Sequence, residues 1–352
     1  MFPLSVLFAP CNERCVFYDT LKGIASLHLL ILIALKARTT TLGTLNSINS
    51  KIFYHKKQGL PVRYKGPIYR PPSEADSLLI QATIGCPHNR CTFCMVYKNG
   101  SKYRVRPVAD IKQDIVEAKK IYGSHVRTMF LPAGNTIAMN TKNLADVCHF
   151  AGATFPRLKR ITVYGSSQFI HRKGPDKLGL LAKSGLGRIH VGLESGDDVI
   201  LKHIRKGTHA REQIEAGKWL MAAGIELSLY VILGIGGRER TAEHAKETAR
   251  VINEIAPDFV RLRTFVPKIN TPILDDVLAG RFKMLTPHGV LRETKTFLEG
   301  LTIKTFLASD HYTNYINLHG RLPQDKPRLL KEINHALERD ESDFRQFFIG
   351  TE

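Results

Sequence analysis

Three thiols stand within nine residues in Cys86-Pro-His-Asn-Arg-Cys91-Thr-Phe-Cys94. With six cysteines in 352 residues, chance clustering is a poor account of that loop. Three thiolates on one tight loop suit three irons of a cubane cluster and leave the fourth iron without a protein ligand. An open metal position is where a substrate can bind, because a fully ligated site has nowhere to take one. The spacing also permits plainer readings: three cysteines of a buried turn, or part of a zinc site. Zinc normally takes four ligands, and His88 would serve only by folding back into its own loop.

Such a loop must be carried by something rigid. The apolar run Leu78 to Ile84 precedes it and reads as a buried strand, and Gly85 with Pro87 turns the chain directly afterwards. A regular alternation follows. Val108 to Tyr122 has helical spacing (Ile111, Ile115, Ala118, Ile121), and Gly123 suits its C-terminal stop. Strands are expected at 126–131, 161–164, 188–193, 226–233 and 259–265. Helices are expected at 141–153, 177–183, 197–204, 210–223 and 242–255. Strands alternating with helices mean parallel βαβ units, so the chain is expected to be α/β. Six units starting at the cysteine strand suit a partial (β/α)6 barrel, whose active groups sit at the C-terminal ends of the strands.

A C-x4-C-x2-C loop after the first strand, with an aromatic, Phe93, before the last cysteine, resembles the cluster loop of the radical SAM superfamily. The commoner spacing there is C-x3-C-x2-C, one residue shorter. The resemblance implies a [4Fe-4S] cluster on Cys86, Cys91 and Cys94, with S-adenosylmethionine (SAM) chelated by the open iron. One-electron reduction then yields a 5′-deoxyadenosyl radical that abstracts hydrogen from a substrate. The cofactors carry that chemistry, and the protein supplies position and water exclusion. The resemblance also implies an electron donor of flavodoxin or ferredoxin type.

Motifs at the expected strand ends match the same family in order. Ala133-Gly134-Asn135 is similar to the glycine-rich segment that binds the methionine amino group, with Asn in place of the usual acid; an ordinary strand-to-loop turn is the alternative. Ser166 and Ser167 end the third strand, where hydroxyls reach ribose or substrate unless they bond their own backbone. Gly192-Leu-Glu194-Ser195-Gly196 closely resembles an element of the Elp3-like branch. A strand-end carboxylate accepts from two ribose hydroxyls, and the flanking glycines permit close approach. The alternative there is Ser195 as a helix cap and Glu194 as a solvated acid. Lys206, twelve residues beyond Glu194, matches the place of a cation set against the cofactor carboxylate. Gly234-Ile-Gly-Gly237 after an apolar strand resembles the turn that packs on adenine. Phe93, Gly134, Asn135, Ser166, Glu194, Ser195, Lys206 and Gly234 are therefore the expected cofactor contacts. No Walker loop or Rossmann glycine turn is found.

The remaining sequence divides into an extension at 1–50, a basic lead-in at 51–77, the core barrel at 78–268, and a mostly helical capping region at 269–352. The apolar run 24–35 is short for a membrane span, so no integral span is expected. More than twenty residues precede it, against a secretory signal, while Arg38 and Thr39 to Thr41 leave an organellar leader open. Cys11 and Cys15 form a pair without nearby partners. The lead-in around Tyr64 and Tyr69 is proline-rich and is expected to strap one barrel end. Ser309-Asp-His311-Tyr-Thr-Asn314-Tyr315 is a polar, aromatic cluster that either meets substrate or is a satisfied loop.

A hydrophobic fraction of 43% allows a sizeable core. Fifty-one basic residues against 32 acidic ones give a formal net charge of +19, which suits a polyanion such as RNA or simply a solvated surface. The cysteines show no secreted disulfide framework, and a reducing, cytoplasmic setting is expected. After Cys148 no cysteine follows to hold an auxiliary cluster, no Asp-x-His-x-x-Gly cobalamin signature is found, and the extra domains of the tRNA methylthiotransferases are not seen. The expectation is a monomeric radical SAM enzyme that abstracts hydrogen from a substrate the sequence does not identify, a small molecule or RNA. RNA modification is the second reading, and a non-catalytic iron–sulfur or zinc nucleic-acid-binding protein the third.

Overall fold

The computed structural model describes residues 62–351 apart from Pro67, Asn99 and Ser101; the readings made on residues 1–61, including Cys11, Cys15 and the apolar run, lie outside them. Eight strands form one sheet. They are β1 (Leu78–Leu79), β4 (Thr128–Leu131), β5 (Arg160–Gly165), β6 (Leu186–Glu194), β7 (Glu226–Leu233), β8 (Phe259–Thr264), β9 (Thr305–Ala308) and β10 (His319–Leu322). Strands β2 (Thr83–Ile84) and β3 (Arg104–Val105) make a separate antiparallel ribbon, so the run Leu78 to Ile84 serves two sheets instead of one.

Spatial order follows chain order, and every pairing from β1 to β9 is parallel. Right-handed crossovers that always advance in one direction place their helices on one face of the sheet. That is the layout of a partial barrel, and among the described residues no pairing joins β1 to β10. The capping region contributes three helices, Pro272–Leu278, Pro287–Gly300 and Lys326–Glu338. It also adds β9 and β10 to the sheet, which the sequence reading did not anticipate.

Strand periodicity sorts the side chains. On β7, Leu227, Leu229, Val231 and Leu233 are buried in the core with Ala245, Ala249 and Ile252 of helix α7 (Thr241–Ile255). Each such Leu contributes on the order of 1.5–3 kcal/mol. The alternate positions Tyr164, His190 and Tyr230 face the other way and meet edge to edge or tilted, with ring centroids 5.9 Å apart. Among the described residues no helix is long and apolar enough to cross a membrane.

At the N-terminal end of this inner face lies Glu74, fully buried. Its carboxylate accepts from Ser77 at 2.6 Å, Thr162 at 3.2 Å, and the guanidiniums of Arg160 and Arg188 at 3.2 Å. His190 Nε2 approaches at 3.4 Å. Burial opposes ionisation, but the bonds from His190 and Ser77 and the charge of Arg160 outweigh it and hold Glu74 at about 2. The lead-in runs alongside, with Arg63 paired to the buried Asp114 at 3.0 Å and Tyr64 donating to Leu79 O at 2.7 Å.

Candidate active site at the strand ends

The cysteine loop follows β2 at the C-terminal edge of the sheet. His88 Nε2 donates to Arg205 O at 2.7 Å, and Thr92 N donates to Ile204 O at 3.0 Å, so the loop is pinned to the turn beyond β6. His88 thereby spends its Nε2 on the backbone. Asn89 Nδ2 donates to Tyr97 O, and Lys98 Nζ to Asn89 O, closing the loop on itself. All three thiols are half-buried and free of disulfides. Burial pushes Cys91 up to about 11; the neighbouring Lys206 ammonium pulls it down, while Cys94, Glu194 and Cys86 raise it. Burial also raises Cys94, reinforced by Cys86. The three sulfurs therefore lie within one another's electrostatic reach, beside a cation. Among the described residues no group of three His, Cys, Asp or Glu is arranged to hold a single metal ion. A cubane makes a different demand, since each thiolate takes a separate iron at its own corner.

Gly134, after β4, touches this loop. A Cβ there would lie 2.6 Å from Tyr97 Cε2 and 2.9 Å from Cys86 Cβ, so only glycine lets the strand end pack on the cysteine. Ala133 beside it adopts φ 101, a conformation that costs a non-glycine residue about 1–3 kcal/mol. Asn135 is buried; its Nδ2 donates to Ser166 Oγ at 2.9 Å, while its Oδ1 is buried with no partner. A buried acceptor left open at a strand end suits a donor from a ligand such as an ammonium group.

Glu194 ends β6 at φ 64, where the register with β7 slips. Its carboxylate folds back over Gly192, at which any Cβ would overlap it. Lys206 Nζ donates to Glu194 Oε1 at 2.7 Å, both side chains almost buried, while Oε2 has no partner among the described residues. Burial would lower Lys206, but the Glu194 carboxylate outweighs it and the ammonium is raised. The cation expected to stand free against a cofactor carboxylate is thus already paired, and it links Glu194 to the cysteine loop.

Ser195, expected among the cofactor contacts, is fully buried. Its Oγ accepts from Asp197 N at 3.0 Å and lies 2.9 Å from His244 Nδ1. His244 Nε2 donates to Ile232 O at 3.1 Å, which makes Nδ1 the acceptor in the neutral ring. Nearby, Glu293 accepts from Gly234 N at 2.6 Å and from Thr241 Oγ1 at 2.6 Å. Gly234, at φ 80, therefore offers a shaped turn and not an open amide. Gly196 packs on the backbone of Glu247 and Thr248 so closely that a Cβ would clash. Phe93 packs with Ile200, Ile204, Ile235 and Phe265 and anchors the cysteine loop from below.

His244 and Glu293 escaped the sequence reading because they lie on ordinary amphipathic helices. Only the packing of α7 and α9 (Pro287–Gly300) brings them to the ends of β6 and β7. Tyr97 was missed too; it follows Cys94 by three residues, a local signal that was available. The polar cluster near 311 is mostly a satisfied loop. Asn314 Oδ1 accepts from Thr264 N at 2.7 Å, and its Nδ2 donates to Leu262 O at 2.9 Å, capping β8.

The pattern of the Radical SAM superfamily matches residues 80–252. The chain is 27% identical over 209 residues to a threonylcarbamoyladenosine tRNA methylthiotransferase from Rickettsia prowazekii, covering 55% of this chain and 46% of that protein. It is 30% identical over 141 residues to an anaerobic magnesium-protoporphyrin IX monomethyl ester cyclase from Synechocystis, covering 40% and 27%. The chain spans less than half the length of the curated relatives it matches. Among solved structures, coproporphyrinogen III oxidase from Escherichia coli superposes with a TM-score of 0.47 at 17% identity, over 63% of this chain and 52% of that one. Radical SAM superfamily enzymes use a [4Fe-4S] cluster and SAM. Residues 80–252, which carry the cysteine loop and the Glu194 strand end, are a radical SAM domain.

Proposed function

We propose that the protein is a radical SAM enzyme with one site-differentiated [4Fe-4S] cluster on Cys86, Cys91 and Cys94. When bound, cluster and SAM supply a 5′-deoxyadenosyl radical, formed with one electron from a flavodoxin- or ferredoxin-type donor, for hydrogen abstraction from a substrate. The observation that supports this reading most is the convergence of three half-buried thiols, an unpartnered Asn135 Oδ1 and an almost buried Glu194–Lys206 pair at one sheet edge.

In this reading Gly134 lets Cys86 seat, and Asn135 Oδ1 accepts from the methionine ammonium. Ser166 holds Asn135 in that pose. Glu194 keeps Oε2 for ribose hydroxyls while Lys206 pins Oε1, and Gly234 shapes the floor for the adenine. Ser195, His244 and Glu293 act as positioning residues for the two strand ends. Tyr97 and Gly134, packed on the cysteine loop, help keep water from it.

The test is anaerobic reconstitution with iron and sulfide, dithionite reduction, and addition of SAM. The expected result is 5′-deoxyadenosine by mass and an EPR spectrum of the reduced cluster that shifts with SAM. Cys86→Ala, Cys91→Ala and Cys94→Ala should each lose both signals; a reconstituted variant cleaving SAM at the wild-type rate would overturn the ligand assignment.

A second reading makes the substrate RNA. The net charge of +19 and a relative named as a tRNA methylthiotransferase favour it. Its mark is tRNA affinity that falls steeply with salt. A flat salt response would remove it.

A further inference from the structure

The inner face carries a second set of polar groups that the cofactor reading leaves unused. Arg261 and Arg263 stand at i and i+2 on β8, so both point to the face away from the helices, their Cα atoms about 7 Å apart. Arg261 is the register partner of Tyr230 on β7, and Arg263 lies over the Tyr230 ring at 4.9 Å. Both arginines are only partly exposed, yet neither has a carboxylate within ion-pairing distance among the described residues. Arg261 Nε and Tyr230 OH are both buried without a hydrogen-bond partner.

Buried cations are as a rule paired, and an orphaned buried donor is destabilising. The Glu74 end of the same face obeys that rule: Arg160 and Arg188 there share one carboxylate. Asp310, whose charge acts on Tyr230, is exposed and forms no ion pair with either arginine among the described residues. Arginine can only donate, and burial raises the Tyr230 phenol, so it donates as well. The donors thus await an acceptor that the described residues do not provide.

We infer that Arg261, Arg263 and Tyr230 form an oxyanion subsite that takes a doubly charged group of the substrate, a phosphate or a pair of carboxylates. The subsite adjoins the Glu194 end of β6, because Gly192 is the register partner of Tyr230. A substrate anchored there presents its far end toward the strand edge that carries Glu194 and Gly134. As a statement about substrate it rests on the radical SAM reading; as a statement about anion binding it does not.

The test is calorimetric titration of the purified chain, before and after cluster reconstitution with SAM, using inorganic phosphate and, separately, succinate. Saturable binding of at least one anion is expected. Arg261→Gln, Arg263→Gln and Tyr230→Phe should each weaken it, the arginine variants by at least tenfold. Tyr230→Phe keeps the ring under Arg263 and guards against loss of fold. Arg250→Gln, an equal charge change on the outer face of α7, should leave binding unchanged. Phosphate binding alone identifies a phosphorylated substrate, and succinate alone a dicarboxylate. Binding of neither anion overturns the subsite, as does an equal loss in Arg250→Gln. Anion binding without SAM cleavage would keep the subsite and remove the radical SAM reading.

Discussion

The two ends of the inner face each hold a carboxylate among cations, and they are built to opposite rules. At the N-terminal end Glu74 is saturated: Ser77, Thr162, Arg160, Arg188 and His190 surround it. At the C-terminal end Glu194 has one side-chain partner among the described residues, Lys206, and adopts φ 64. Ala133 is strained nearby, and Asn135 Oδ1 is open. A saturated buried carboxylate ties strands together. An under-bonded one on a strained backbone keeps free energy in reserve for a ligand. Stability is thus concentrated at one end of the strands and chemistry at the other, as barrels of this kind require.

The sharpest break in that comparison is Gly134→Ala. Its added Cβ would meet Cys86 and Tyr97 below 3 Å, so iron bound per chain after reconstitution should fall well below wild type. Far-UV circular dichroism should stay unchanged. Full iron loading would mean the loop has slack that the packing denies.

Glu74→Gln should cost about 3–5 kcal/mol in urea unfolding, because Arg160 loses its anion and Arg188 keeps only Glu226. A loss below about 1 kcal/mol would show that the plug does not bear on stability. The same carboxylate sets an acid limit. Its folded value of about 2 lies below the ordinary 4.5, so its stabilisation is complete above pH 4.5 and is lost as pH falls toward 2. That loss approaches about 3 kcal/mol. Urea midpoints of the metal-free chain should fall between pH 5 and 3, and Glu74→Gln should flatten that slope.

Glu194→Gln tests the other end. Losing a charge-assisted acceptor should raise the Kd for SAM roughly tenfold to a hundredfold. Lys206 keeps the amide oxygen as an acceptor, so the urea midpoint should move far less than in Glu74→Gln. Equal stability losses in the two variants would erase the contrast. The smallest effect is expected for Thr241→Val, which removes one hydrogen bond to Glu293 and costs about 1 kcal/mol. If the Kd for SAM also rises slightly, the network positions the Gly234 turn; an unchanged Kd would make it structural only.

Local sequence determined a good deal here. Apolar periodicity and turn residues marked each parallel strand from β4 to β8, because alternation and helical spacing are properties of neighbours in the chain. The thiol loop was legible because its three sulfurs are close in sequence as well as in space. Gly192 and Gly196 were legible as sites of close approach, though only the structure shows that Gly192 clears the Glu194 carboxylate and Gly196 the α7 backbone. Relations between distant residues were decided by tertiary structure alone. The Glu74 cluster joins residues up to 116 positions apart, and the bond from Gly234 N to Glu293 spans 59. The burial of Ser195, the pairing of Lys206 with Glu194, and the unpaired arginines of β8 depend on which groups packing leaves within reach. No local pattern encodes these, because a hydrogen bond or an orphaned donor is defined by its surroundings.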